Sequence, residues 1–126
     1  MKTPIPVLSV AMTSVALAAL AQVALKTGLS GPRVQQALGD QQWQALFVAA
    51  ITSKPLLLGV FLYGTSTLLW FYSLARADLS YLYPMIGLGL IFTTIVAATW
   101  MGETVSLARW AGIVLIASGV VLVART

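Results

Sequence analysis

Charged residues in this chain are confined to a few short stretches, and four long apolar runs lie between them. The runs cover about residues 5–26, 55–76, 79–101 and 106–124. Each is close to the ~20 residues that carry an α-helix across a hydrocarbon core about 30 Å thick. Lys26, Arg76 and Arg125 stand where runs end, and the other charges sit in the connections. A charge at the centre of a spanning helix costs roughly 2.5–3.5 kcal/mol, so this placement is what a membrane-embedded chain requires. The pattern predicts an all-α membrane protein, with four transmembrane helices in a single domain over residues 1–126.

One connection is long. GLSGPR, from Gly28 to Arg33, reads as a helix stop and a turn. Beyond it Trp43, Leu46, Phe47 and Ala50 share one helical face, with Asp40, Gln42 and Gln44 elsewhere. That spacing predicts an interfacial amphipathic helix over about residues 33–52, anchored by Trp43. A solvated loop with an apolar patch is the alternative. Ser53 or Lys54 then caps the second span, with Pro55 in its first turn. The start of the chain, with Lys2 before an apolar run and the small-residue pattern Ala19-Leu20-Ala21, also has the shape of a cleavable signal. Because the remaining runs span by themselves, and Pro4 and Pro6 suit a helix start, an uncleaved first span is expected.

Composition strengthens the membrane reading. Of 126 residues, 60% are hydrophobic and 8% charged, against about 25% charged in a soluble domain; the mean hydropathy is +0.95. There is no cysteine and no histidine. Disulfides, thiolate nucleophiles, imidazole bases and nearly all transition-metal sites are thereby removed, and no metal or other cofactor is expected. The net charge of +4 rests on seven basic residues against Asp40, Asp78 and Glu103. A basic excess at membrane ends favours anionic headgroups, whereas no soluble module remains for nucleic acid. None of the three acids lies inside a run, although an intramembrane carboxylate is the usual proton-coupling group. No nucleophile has an activating base near it in sequence, so the chain is not expected to be an enzyme. Lys2, Arg76 and Arg125 fall on one side of the membrane and Lys26, Arg33, Lys54 and Arg109 on the other. Three against four leaves orientation undecided and dual topology open.

A few residues inside or beside the runs are candidates for chemistry. Pro84 removes one helical hydrogen bond near the start of the third span, and Gly87 and Gly89 follow it. An interrupted span points to a transport path or bending point, with close helix packing as the alternative. Gln22 and Lys26 are four apart and share a face at the end of the first span. They form a candidate phosphate-binding pair, or Lys26 simply reaches the headgroups. In the fourth run, Gly112, Ser118 and Gly119 make a smooth stripe suited to a dimer seam, or to contact with the third span. Gly102 and Glu103 lie in the last turn, where Glu103 could pair with Arg109 or cap the fourth helix beside Ser106; Asp78 is placed to cap the third.

Together these segments resemble the drug/metabolite transporter superfamily in its small four-helix members. The resemblance rests on AQVALK at 21–26, SKPLLLG at 53–59, Trp70, Tyr83-Pro84-Met85, Gly102-Glu103, Arg109-Trp110 and the final glycine stripe. It covers most of the chain outside 28–52 and looks closest to EamA-like subunits that flip aminoarabinose-phosphoundecaprenol. The stripe Gly112, Leu115, Ile116, Gly119, Val120 is similar to the seam of the small multidrug resistance family as well. That family's coupling glutamate lies eight residues before a lysine like Lys26, where this chain has Ala18.

The resemblance implies a multi-pass protein of the bacterial inner membrane that flips or transports a polyprenyl-phosphate-linked sugar or related anionic lipid. Gln22, Lys26, Trp70, Tyr83, Pro84 and Gly87 would form the headgroup path. Four helices enclose little space, so a homodimer, or a heterodimer with a sister subunit, is expected. Export of cationic or small polar compounds, and a non-transporting role beside a membrane partner, are the alternatives.

Overall fold

The computed structural model describes residues 5–126; Lys2 and Pro4 lie outside the described residues. Six helices follow one another: α1 (Ile5–Leu29), α2 (Pro32–Gly39), α3 (Trp43–Thr52), α4 (Lys54–Arg76), α5 (Leu79–Thr99) and α6 (Leu107–Arg125). Of these, α1, α4, α5 and α6 are long and apolar enough to cross a membrane. With no water in the hydrocarbon to satisfy backbone groups, an apolar run of this length is driven to close its own hydrogen bonds as helix.

The long connection differs from the sequence expectation. It holds two short helices, because Gln41 takes a left-handed conformation (φ 53°) and turns the chain between them. The amphipathic member is α2, which buries Val34 and Ala37. α3 is apolar nearly all round and buries only Ala49. Trp43 and Phe47 do face outward, whereas Leu46 and Ala50 are half-buried. The first span also continues a turn past Lys26, to Leu29.

Helix ends follow local chemistry. The Ser53 hydroxyl accepts from the Leu56 amide at 3.4 Å, with Pro55 in the first turn of α4. Ser106, not Glu103, caps α6, accepting from the Arg109 amide at 3.3 Å. Asp78 occupies the N-cap position of α5, but its side chain makes no capping bond. Between α5 and α6, Gly102 (φ 70°) lets the Glu103 amide reach the Ala97 carbonyl at 2.9 Å. A side chain at that dihedral is strained, so glycine suits the turn.

α1 is the centre of the bundle: α4 packs along one side and α5 along another, while α6 packs chiefly on α5. The α1–α4 seam is the tightest. Val7, Ser14, Ala21 and Gly28 are buried on α1 and Gly59, Ser66 and Ser73 on α4, each set at seven-residue intervals. That period keeps two stripes facing each other along antiparallel helices. At the hairpin end the backbones nearly touch. A Cβ added to Gly28 would lie 2.8 Å from the Leu56 nitrogen, and one on Gly59 would lie 3.0 Å from the Leu25 nitrogen. Midway, Ser14 and Ser66 interlock, each hydroxyl donating to the other's carbonyl at 2.7 and 2.8 Å. The apolar core gathers at the other end, near the α4–α5 turn, around Ala11, Leu82 and Met85.

A groove between three spans

α4 and α5 flank α1 but scarcely touch each other. Between them a groove of about 430 Å³ runs over the face of α1. Each wall follows helical periodicity. α1 contributes Val15, Ala18, Ala19 and Gln22; α4 contributes Tyr63, Ser66, Thr67 and Trp70, and both sets have i, i+3, i+4, i+7 spacing. α5 adds Ile86, Gly89 and Leu90. The missing side chain of Gly89 matters here, because a Cβ would come within 3.1 Å of Val15. Glycine thus lets α5 lie close against α1.

One end of the groove is closed. Trp70 and Tyr83 meet edge to face, with ring centroids 6.0 Å apart, and Trp70 also packs against the apolar core. That contact lies six residues, or roughly 9 Å, inside the Arg76 end of α4. Gln22, toward the hairpin end, is exposed, and Lys26, exposed as well, stands one turn further along the same face of α1.

The interior is neutral. Ser14 and Ser66 spend their hydroxyls on each other, and Thr67 donates to the Tyr63 carbonyl at 2.8 Å. The groups left to meet a ligand are the Gln22 amide, the Tyr63 hydroxyl and the Trp70 indole N–H. All three acids lie outside the spans: Asp40 between α2 and α3, Asp78 at the N-cap of α5, and Glu103 in the α5–α6 turn. Ala18, where the similar exporters carry their coupling glutamate, is part of the wall. The lining is apolar with a few hydrogen-bonding groups and carries no acid, and Lys26 lies outside it, one turn beyond Gln22.

The sequence-derived path residues divide between places. Gln22 and Trp70 line the groove, Tyr83 meets it through Trp70, and Lys26 does not line it but follows Gln22 by one turn of α1. Pro84 lies elsewhere, in an apolar cavity of about 210 Å³ between α1, α5 and α6. Gly87 faces α6, where a Cβ would come within 2.9 Å of Ile116 and 3.1 Å of Val120. Moreover, α5 is unbroken from Leu79 to Thr99. Pro84 forfeits one bond, to the Ser80 carbonyl in the first turn, and the buried side chains of Leu82 and Met85 hold the helix on either side. Tyr63, Ser66 and Thr67 were missed by sequence reasoning. Their signal was present, as polar residues at i, i+3 and i+4 leading to Trp70.

On α6, Ile113 and Val120 are buried, whereas a Cβ on Gly112 or Gly119 would meet nothing within 4 Å. Ser118 lies on the same exposed side and returns its hydroxyl to the Val114 carbonyl. Gly112, Ser118 and Gly119 are therefore not the contact with α5, which Ile116 and Val120 make at Gly87.

The model of the family described as EamA-like transporter family matches residues 2–125. Among curated proteins, the chain is 29% identical over 109 residues to the probable 4-amino-4-deoxy-L-arabinose-phosphoundecaprenol flippase subunit ArnE of Pseudomonas fluorescens (strain Pf0-1), covering 86% of this chain and 89% of that one. It is 31% identical over 121 residues to the probable flippase subunit ArnF of Proteus mirabilis (strain HI4320), covering 91% and 89%. To the ArnF subunit of Photorhabdus laumondii subsp. laumondii it is 31% identical over 119 residues, covering 90% and 93%. No solved structure matches the chain significantly.

Proposed function

This chain belongs to the EamA-like transporter family, and from that premise we propose that it is a subunit of an inner-membrane flippase for a polyprenyl-phosphate-linked sugar or a related anionic lipid. The observation that carries the reading is a neutral groove over α1, flanked by α4 and α5, which scarcely touch, with Lys26 one turn beyond Gln22 of its lining. The polyprenyl chain stays in the bilayer beside the gap. The phosphate is held by the Lys26 ammonium, and the Gln22 amide and Tyr63 hydroxyl donate to the phosphate or exchange hydrogen bonds with the sugar hydroxyls. The Trp70–Tyr83 contact is the barrier that must part for the headgroup to pass. Relatives named as ArnE and ArnF flippase subunits support this substrate class. They also support a sister subunit as partner, and the open Gly112–Ser118–Gly119 face of α6 is the seam we assign to it, in a heterodimer or a homodimer.

Reconstitution in proteoliposomes with undecaprenyl-phosphate-linked sugar tests the proposal. Lys26→Ala lowers flipping roughly tenfold, the effect of removing one charge-assisted contact of about 1.4 kcal/mol. Gln22→Leu has a smaller effect. Unchanged lipid-phosphate binding and unchanged flipping in Lys26→Ala would remove the assigned headgroup role.

A further inference from the structure

The α2–α3 hairpin joins two spans at one membrane surface, since α1 ends at Leu29 and α4 begins at Lys54. A ten-residue α3 is about 15 Å long, half of what crossing requires. It is nevertheless strongly apolar: Gln44 and Thr52 are its only polar side chains. Trp43, Phe47 and Ile51 form a ridge at four-residue spacing, and they are 72%, 67% and 49% exposed. Ala49, nearly opposite, is the residue turned into the protein. A helix held at the membrane surface by both flanking spans, with its apolar ridge pointing away from the protein, finds hydrocarbon as the nearest cover.

Charge points to the same neighbour. Lys26, Arg33 and Lys54 surround the base of the hairpin, and Asp40 lies in its turn. Arg33 lines two adjoining clefts. One, of about 440 Å³, also carries the side-chain amides of Gln36, Gln42 and Gln44; the other, of about 410 Å³, is bounded by Gly28, Gly31 and Thr52. No acidic side chain lines either cleft. A guanidinium fork beside three amides is a donor set for phosphate oxygens, which it can meet two at a time. We propose that the hairpin is an in-plane membrane anchor that holds the phosphate of an anionic bilayer lipid at Arg33, with that lipid's acyl chains against Trp43, Phe47 and Ile51. The inference depends only on the spans crossing a membrane, not on what the groove carries.

The absence of cysteine allows a clean test. Full-length Phe47→Cys, carrying an environment-sensitive fluorophore, is reconstituted in phosphatidylcholine vesicles with and without phosphatidylglycerol. The probe is expected to be quenched by bromine-labelled lipid and not by aqueous iodide. Native mass spectrometry of the unlabelled protein is expected to show retained phosphatidylglycerol, reduced roughly fivefold by Arg33→Gln and unaffected by about 10 mM inorganic phosphate, a concentration at which charges are little screened. Arg33→Lys, which keeps the charge but loses the fork, restores part of the retention. Quenching by iodide, or by neither agent because protein covers the ridge, overturns the anchor. Retention unchanged in Arg33→Gln, or abolished by inorganic phosphate, overturns the lipid site. Flipping is not read, so a failure here leaves the transport reading standing, and the reverse holds as well.

Discussion

Along α4, Gly59 and Ser66 fall seven residues apart, and along α6 Gly112 and Gly119 do the same. The first pair is buried against α1, with Gly59 at backbone distance from Leu25 and Ser66 interlocked with Ser14. The second has open space where a side chain would stand. In lipid, apolar side chains gain little by leaving the solvent, so helices associate through close packing and interhelical hydrogen bonds. A smooth stripe is therefore a capacity for contact, and one span has used it inside the chain while the other has it in reserve. The α1–α4 pair is thus a rigid scaffold for one wall of the groove, while α6 is free to meet a neighbour.

Large substitutions at matching positions separate the two stripes most sharply. Gly59→Leu forces a branched side chain into Leu25 and its backbone, and is expected to cost about 3 kcal/mol. Gly119→Leu should leave the isolated protomer within about 0.5 kcal/mol of wild type, because it meets no atom there. Unfolding in mixed micelles measures both, and equal losses would break the distinction between a filled and an open stripe. Self-association or partner capture should respond in the opposite order, weakening in Gly119→Leu first.

A smaller effect is expected at the serine pair. Ser14→Ala and Ser66→Ala each remove one interhelical bond, worth roughly 0.6–1.7 kcal/mol inside a membrane protein. The double variant should cost less than the sum, since each hydroxyl also positions the other. Strict additivity would show that the two bonds work independently. A comparable change concerns a glycine needed for conformation and not for contact. Gly102→Ala, in open space at φ 70°, should destabilise the α5–α6 turn by about 1 kcal/mol and leave the packing of both stripes intact. A loss comparable with that of Gly59→Leu would mean that the turn, too, is packed.

Much of the architecture was legible from residue order. The spans, the placement of charges outside them, and the caps at Ser53 and Ser106 all rest on local chemistry that a sequence displays. The site was legible in part. Gln22 and Lys26 were recognisable as polar residues at the end of the first span and Trp70 came with the resemblance; Gln22 and Trp70 line one groove, and Lys26 follows Gln22 by one turn. Pro84 and Gly87 drew attention as interruptions of their run, yet Pro84 faces a different cavity and Gly87 accommodates Ile116 and Val120. An unusual residue announces a local constraint without saying which neighbour imposes it. The hairpin shows the converse. Trp43 and Phe47 stand exposed, but Leu46 and Ala50 of the expected face are half-buried, and the turn at Gln41 split a segment that reads as one helix.

By itself the sequence determined that four segments cross the membrane, because transfer into hydrocarbon depends on each segment's own composition and length. It also determined that no acid lies within them. Tertiary structure alone decided which face of each span looks inward, since a helix apolar on every side carries no hydrophobic bias toward its partners. Only close packing of the α1 and α4 stripes, with Gly89 admitting α5, brought Gln22, Tyr63 and Trp70 around one groove.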